Sequence, residues 1–164
     1  MVKYISIDPG IKNLGIVKLN IDGDDIEIIE TNLIDLISGQ KVKKCSFEYI
    51  IDSLIDNLKL IDIEDIDYIL IENIPSFKNP SIKTISSIIY GYYKEKGLKV
   101  KFISPSKKLK DQNKMSYAER KKEGIKKCFE IIKENDVKLI KEKFKSKMND
   151  ITDCIIQAYE YDKK

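Results

Sequence analysis

Residues 2–10, with the sequence VKYISIDPG, form an apolar run that ends at an acid and is followed by Pro9 and Gly10. A run of this length and composition predicts a β-strand, and the Pro-Gly pair predicts where the strand ends. The side chain of Asp8 is therefore expected to project from the carboxyl end of the strand. Because Asp-Pro-Gly is also a common turn sequence, this segment alone does not establish a functional role.

The strands that follow extend this first strand into a sheet. Residues 15–20 predict a second strand, and the DGDD turn at 22–25 leads into a third strand at 26–32. The apolar run DYILIE at 67–72 predicts a buried strand, and the alternating sequence LKVKFI at 98–103 predicts a fifth strand. The chain thus begins with a β-meander and continues with two isolated strands.

Apolar residues at helical spacing predict helices between and after these strands. The predicted helices cover roughly 45–60, roughly 81–96, a segment opened by the Ser116–Glu119 capping box, and a last segment from Asn149 or Asp150 onward. Residues 136–148 are ambiguous. The order of elements predicts one α/β domain over residues 1–164, with a five-stranded mixed sheet flanked by helices on both faces.

The composition excludes several kinds of chemistry. The chain contains no histidine, which excludes Ser-His-Asp catalysis and histidine zinc motifs. The cysteines at 45, 128 and 154 are far apart and include no C-x-x-C pair, so we expect core residues rather than disulfides or a zinc site. No nucleotide-binding glycine motif is complete, and no nucleotide cofactor is expected. Without a signal-peptide pattern or an apolar run of roughly 20 residues, we expect an intracellular protein without a membrane partner.

The charge is distributed unevenly along the chain, although the net charge is only +3. Residues 1–98 carry 11 lysines and 16 acidic residues, whereas residues 99–147 carry 17 basic and 7 acidic residues, a net charge of +10. A contiguous basic segment is typical of a surface that faces a polyanion such as nucleic acid. In a lysine-rich protein, the same segment is also consistent with a solvated helical face.

Four carboxylates occupy positions that suit a metal site. Glu72 ends the fourth strand as Asp8 ends the first, and ligands bind at the carboxyl ends of parallel strands. Asp150 and Asp153 are three residues apart at the start of the last helix and share a face, although Asp150 by itself could be a helix N-cap. Carboxylates without histidine favour Mg²⁺ or Mn²⁺.

Three short segments resemble the acidic motifs of RuvC-type Holliday junction resolvases, which belong to the RNase H-like superfamily. They are SIDPGIKNLG at 6–15, IEN at 71–73 and NDITDC at 149–154, in the same order and at similar spacing across essentially the whole chain. The IKN after DPG, and the last helix with its QAYEY ending, look closer to the poxvirus, large-virus and mitochondrial branch. A bacteriophage origin is also open.

The resemblance implies an RNase H-like fold and a Mg²⁺-dependent or Mn²⁺-dependent endodeoxyribonuclease. A homodimer would resolve four-way DNA junctions during recombination by paired symmetric nicks, with two metal ions per active site on Asp8, Glu72, Asp150 and Asp153. The helix near 81–96 is the expected dimer interface. The alternatives are a nuclease acting on RNA or other branched nucleic acids, and a non-catalytic DNA-binding module of the same fold. A viral protein of this kind is expected in the host cytoplasm.

The resemblance also implies a lysine that assists at the scissile phosphate, between the fifth strand and the following helix. We expect Lys110 to take this role, with Lys108, Lys114 and Lys121 as alternatives. The residues expected to bind nucleic acid are Lys12, Asn13, Lys107, Lys108, Lys110, Lys114, Arg120 and Lys121.

Overall fold

A computed structural model describes residues 1–104 and 116–164 of the chain. The strands are β1 (Val2–Asp8), β2 (Leu14–Asp22), β3 (Asp25–Ile34), β4 (Tyr68–Glu72) and β5 (Val100–Ile103), and the helices are α1 (Phe47–Leu60), α2 (Pro80–Glu95), α3 (Tyr117–Ile131), α4 (Glu134–Phe144) and α5 (Met148–Asp162). Short 3-10 helices lie at Val42–Lys44 and Lys145–Lys147. The predicted element order is confirmed, and the ambiguous segment at 136–148 proves to be mostly α4.

The described strands form one mixed sheet with the order β3-β2-β1-β4-β5. β1, β2 and β3 are antiparallel neighbours, whereas β4 lies parallel to β1 and β5 lies parallel to β4. The carboxyl ends of β1, β4 and β5 therefore meet at the same edge of the sheet. The predicted fold class, a five-stranded mixed sheet flanked by helices on both faces, is confirmed.

Strand alternation gives each face of the sheet its own core. Ile5 and Ile7 of β1 pack in the core that includes residues of α1 and α2, whereas Tyr4 packs in the core that includes residues of α4 and α5.

The cysteines follow the prediction in part, because Cys128 and Cys154 are buried and Cys45 is half-buried, all three as free thiols. Within residues 1–104 and 116–164, no helix combines the length and the apolar character needed to cross a bilayer.

Tyr93 of α2 is fully buried, yet its hydroxyl has no hydrogen-bond partner among the described residues. An unpaired buried hydroxyl costs on the order of 1–3 kcal/mol, so Tyr93→Phe should raise the free energy of unfolding by about 1 kcal/mol. Urea denaturation measures this change. Tyr4→Phe is the matched control, because the Tyr4 hydroxyl donates to Asp162 Oδ1 at 2.8 Å and its loss should lower stability. A loss of stability in Tyr93→Phe would contradict the prediction.

Candidate active site

Asp8 and Glu72 lie side by side at the edge of the sheet. Ile7 is paired with Ile71 in the parallel register of β1 and β4, so the next residue of each strand is an acid. By the same alternation, Asp8 is on the face of β1 that carries Tyr4, which packs in the α5 core. Both acids therefore face α5.

Gly15 allows the start of α5 to approach these acids. It lies opposite Asp8 in the antiparallel pairing of β1 and β2. A Cβ at this position would be 2.8 Å from the carbonyl oxygen of Asp150 and 3.3 Å from Cys154 Sγ. The Cys154 thiol instead donates to the Gly15 carbonyl at 3.5 Å. The first turns of α5 are thus packed directly against the strand end next to Asp8.

A buried polar contact fixes the orientation of α5 on the sheet. The Gln157 side chain donates from Nε2 to Ser6 Oγ at 3.0 Å, and both residues are buried. Asp150, Asp153 and Gln157 have i, i+3, i+7 spacing and share one helix face, so a bond from Gln157 to β1 turns both acids toward Asp8. The N-cap of α5 is Lys147, which makes no capping bond, so the alternative role of Asp150 as an N-cap is wrong.

The four carboxylates form one electrostatic unit. Burial raises the pKa of Asp8 well above its ordinary value, and the charge of Glu72, a hydrogen bond with Glu72, and the charges of Asp153 and Asp150 raise it further. Burial also raises the pKa of Asp150, while the charge of Lys121 opposes this shift. The residues predicted from three distant segments of the chain are therefore brought together.

The donor set fits hard divalent cations. Within the described parts of the chain, no group of three or more acidic or cysteine side chains is already arranged closely enough to hold an ion. Asp8 and Glu72 are nevertheless in hydrogen-bond contact, and the charges of Asp153 and Asp150 also act on Asp8. An oxygen-only set of this kind matches the preference of Mg²⁺ and Mn²⁺. We conclude that the residues present suit such ions.

The structure places some of the predicted basic residues and leaves others outside its range. Lys107, Lys108, Lys110 and Lys114 lie outside the described residues. Lys121, on α3, acts electrostatically on Asp150 and so lies beside the acids. Lys12 and Arg120 are exposed, whereas Asn13 is half-buried, and its Oδ1 has no hydrogen-bond partner within residues 1–104 and 116–164.

Sequence reasoning did not single out two residues of the segment that follows β4, Phe77 and Lys83. Phe77 is 84% exposed in the loop that follows Glu72. Lys83 Nζ donates to Asn73 Oδ1 at 2.8 Å and lies 4.5 Å from the centroid of the Phe102 ring. A lone aromatic residue within a polar, proline-flanked segment was the available signal for Phe77. No local pattern marked Lys83, because its contacts come from two other elements.

The fold is that of RuvC-type resolvases. Fowlpox virus resolvase, solved in complex with its substrate Holliday junction DNA, has a TM-score of 0.68 and 23% identity over 98% of this chain and 96% of that chain. Thermus thermophilus RuvC has a TM-score of 0.69 and 12% identity over 99% and 96%. The yeast mitochondrial Holliday junction resolvase Ydc2 has a TM-score of 0.63 and 16% identity over 96% and 77%.

A family model matches nearly the whole chain. The family described as Poxvirus A22 protein matches residues 3–163, and the chain belongs to this family. No curated protein sequence gave a significant match. The predicted relationship to the poxvirus branch of RuvC-type proteins is confirmed.

Proposed function

We propose that this protein is a structure-selective DNA endonuclease that resolves four-way junctions by paired symmetric nicks. The observation that carries the proposal is the convergence of Asp8, Glu72, Asp150 and Asp153 at one edge of the sheet, which follows from the register of β1 with β4 and from the close packing of α5 against Gly15. The fowlpox protein, which shares the fold, was solved with Holliday junction DNA as its substrate. For a member of a poxvirus family, we infer that the host cytoplasm is the place of action.

The chain would hold two Mg²⁺ or Mn²⁺ ions between its sheet and its last helix. Asp8 and Glu72 contribute oxygen ligands from the strand ends, and Asp150 and Asp153 contribute them from α5. Two ions bound there supply activation of the attacking water and stabilisation of the leaving oxygen. The Gln157–Ser6 bond keeps the two halves of the acid set in register.

A substrate panel tests the proposal against its alternatives. Synthetic four-way junction, duplex, flap and RNA:DNA substrates are incubated with the purified protein, with and without Mg²⁺. We expect metal-dependent cleavage of the four-way junction in opposed strands. Preferential cleavage of RNA:DNA or flap substrates would support the alternative nuclease, and binding without any cleavage would support the non-catalytic module.

Metal binding should raise the melting temperature of the protein. Cations relieve the repulsion among the four acids in the folded state, and a ligand at 100 times its Kd stabilises by about 2.7 kcal/mol. Thermal unfolding with and without Mn²⁺ measures the shift. A variant with amides in place of all four acids serves as the control, and an equal rise in that variant would place the ions elsewhere.

We propose Lys121 as the lysine that assists at the scissile phosphate, because it lies one turn before Gly124 on α3, where an added Cβ would be 3.9 Å from Asp153 Oδ1. The charge of Lys121 also acts on Asp150. Lys121→Ala should lower the single-turnover rate at saturating DNA by on the order of 10²-fold, with a smaller effect on affinity, because the lysine stabilises charge that develops in the transition state. Lys122→Ala, at the exposed neighbouring position, is the matched control. If Lys110→Ala lowers the saturated rate and Lys121→Ala does not, the expectation from the sequence, Lys110, is correct.

We propose that the protein acts as a homodimer through α2, since a junction with twofold symmetry requires two sites related by a twofold axis. Thr84, Ser87 and Gly91 lie on one exposed face of α2, and a Cβ added at Gly91 would meet nothing within 4 Å. Small residues on this face leave room for a second helix. Sedimentation showing only monomer at micromolar concentration, both free and on junction DNA, would contradict the dimer.

A further inference from the structure

A cleft of about 280 Å³ lies at the end of the sheet opposite the acids. It is lined by Tyr68, Lys94, Lys99, Val100, Lys101 and Tyr161. Tyr68 and Val100 are the first residues of β4 and β5, whereas Glu72 and Ile103 are the last. Tyr161 is eight residues beyond Asp153 on α5, or about 12 Å along the helix axis at 1.5 Å per residue. The cleft is therefore separate from the proposed active site.

The cleft is positively charged. Three of its six lining residues are lysines and none is acidic. Lys94, Lys99 and Lys101 have no ion-pair partner among the described residues, whereas Lys59, Lys133 and Lys138 each pair with an acid at 3.0 Å. Unpaired ammonium groups that converge on one cavity are suited to an anion.

Tyrosine rings form a fixed wall on one side of the cleft. The Tyr68 and Tyr161 ring centroids are 5.6 Å apart, and Tyr4 stacks on Tyr68 at 5.9 Å. Tyr4 is held in turn by its hydrogen bond to Asp162. Lys99 Nζ lies 5.3 Å from the centroid of the Tyr68 ring, so one ammonium group is already placed against this wall. The cleft combines an aromatic surface with cations, the pairing that single-stranded nucleic acids require.

Protection of a sheet edge explains only part of this arrangement. β5 is an edge strand, and lysines on edge strands discourage pairing with other chains. That role accounts for Lys101, but it requires neither Lys94 from the end of α2 nor the tyrosine wall.

We propose that this cleft binds a phosphate-bearing nucleotide unit of a nucleic-acid strand. The proposal rests on the proposed function, since the strand is part of the DNA whose scissile phosphate lies at the acids. The lysines contact the phosphate, and the ring face of Tyr68 or Tyr161 contacts the sugar or base. The cleft thus extends the DNA contact away from the point of cleavage.

Two triple variants distinguish DNA binding in this cleft from the general effect of positive charge on DNA affinity. Lys94→Gln, Lys99→Gln and Lys101→Gln together should weaken binding of four-way junction DNA without metal by roughly tenfold. The slope of log K against log salt should also fall by about 1 for each lysine that no longer pairs with a phosphate. The control replaces Lys3, Lys18 and Lys59 by Gln, which removes the same charge from lysines that lie outside the basic segment 99–147 and are already paired with acids. We expect the control to bind like the unmodified protein.

Backbone amide shifts in ¹⁵N-labelled protein locate the contact and distinguish the sources of phosphate. A short single-stranded oligonucleotide should shift the amides of Lys99, Val100, Lys101 and Tyr161 more than inorganic phosphate or thymidine monophosphate does. Equal affinity loss in the two triple variants, or no shift at these amides, overturns the proposal. Equal shifts with the mononucleotide, with junction binding unchanged in the first variant, overturn the assignment to a strand. If none of the substrates were cleaved, the proposed function would be overturned. The affinity and amide-shift results would still test whether this cleft binds a strand.

Discussion

Asp153→Asn is expected to lower junction cleavage by on the order of 10³-fold while the variant still binds junction DNA. The amide keeps the shape of the side chain but removes the negative charge that holds a metal ion. Metal ions contribute several kcal/mol to transition-state stabilisation, and each 1.36 kcal/mol corresponds to a factor of ten in rate. Single-turnover cleavage with Mg²⁺ and binding isotherms without metal measure the two quantities on the same substrate.

Asp162→Asn provides the matched control for this experiment. The substitution makes the same change of charge on the same helix, at a residue that accepts a hydrogen bond from Tyr4 and lies at the other end of α5. The saturated cleavage rate should therefore stay near that of the unmodified protein. If Asp153→Asn cleaves at the unmodified rate, α5 does not supply the ligands proposed here. Asp8→Asn, Glu72→Gln and Asp150→Asn extend the test to the other three acids.

Gly15→Ala should lower both the stability of the protein and its rate of cleavage, although Gly15 has no side chain that could take part in the reaction. The added methyl would lie 2.8 Å from the carbonyl oxygen of Asp150, a backbone atom that cannot move without the helix. Overpacking of this kind costs roughly 1–3 kcal/mol, and the displacement carries Asp150 and Asp153 away from Asp8. Misplacement of catalytic groups by about 1 Å can cost about 10²-fold in rate. Urea denaturation and single-turnover cleavage check the two effects.

Gly124→Ala is the appropriate comparison, because Gly124 also faces an acid of α5. A Cβ at this position would be 3.9 Å from Asp153 Oδ1, which is an ordinary contact distance. Replacement of a helical glycine by alanine stabilises by up to about 1 kcal/mol, so this variant should be at least as stable as the unmodified protein. Similar losses in the two variants would show that the close approach at Gly15 is not what positions α5.

The parts of the fold that depend on local sequence were predictable. The Ser116–Glu119 capping box forms both of its hydrogen bonds, because its partners are three residues apart. The helix α4 was not predicted, since only Ile140 and Phe144 are buried along it and both pack in a core shared with β2 and α5. The start of β5 was placed too early, at residue 98 instead of Val100.

The acids of the site were predictable from motifs, but their surroundings were not. Each acid stands at a strand end or helix start, which is visible locally, and their order along the chain carried the resemblance. The Ser6–Gln157 bond joins residues 151 positions apart, so no local pattern contains it. Which lysine lies near the acids depends in part on how α3 packs against α5, and sequence periodicity does not predict this packing. The expectation of Lys110, with Lys108, Lys114 and Lys121 as alternatives, stays a prediction.

The proposed metal ligands come from distant parts of the polypeptide, since Asp8 ends the first strand and Asp150 and Asp153 begin the last helix. A nascent chain that has not yet reached residue 150 carries Asp8 and Glu72 without Asp150 and Asp153. Half of the proposed acid set would not hold the two ions, so we expect neither unfinished translation products nor N-terminal breakdown fragments to cleave DNA.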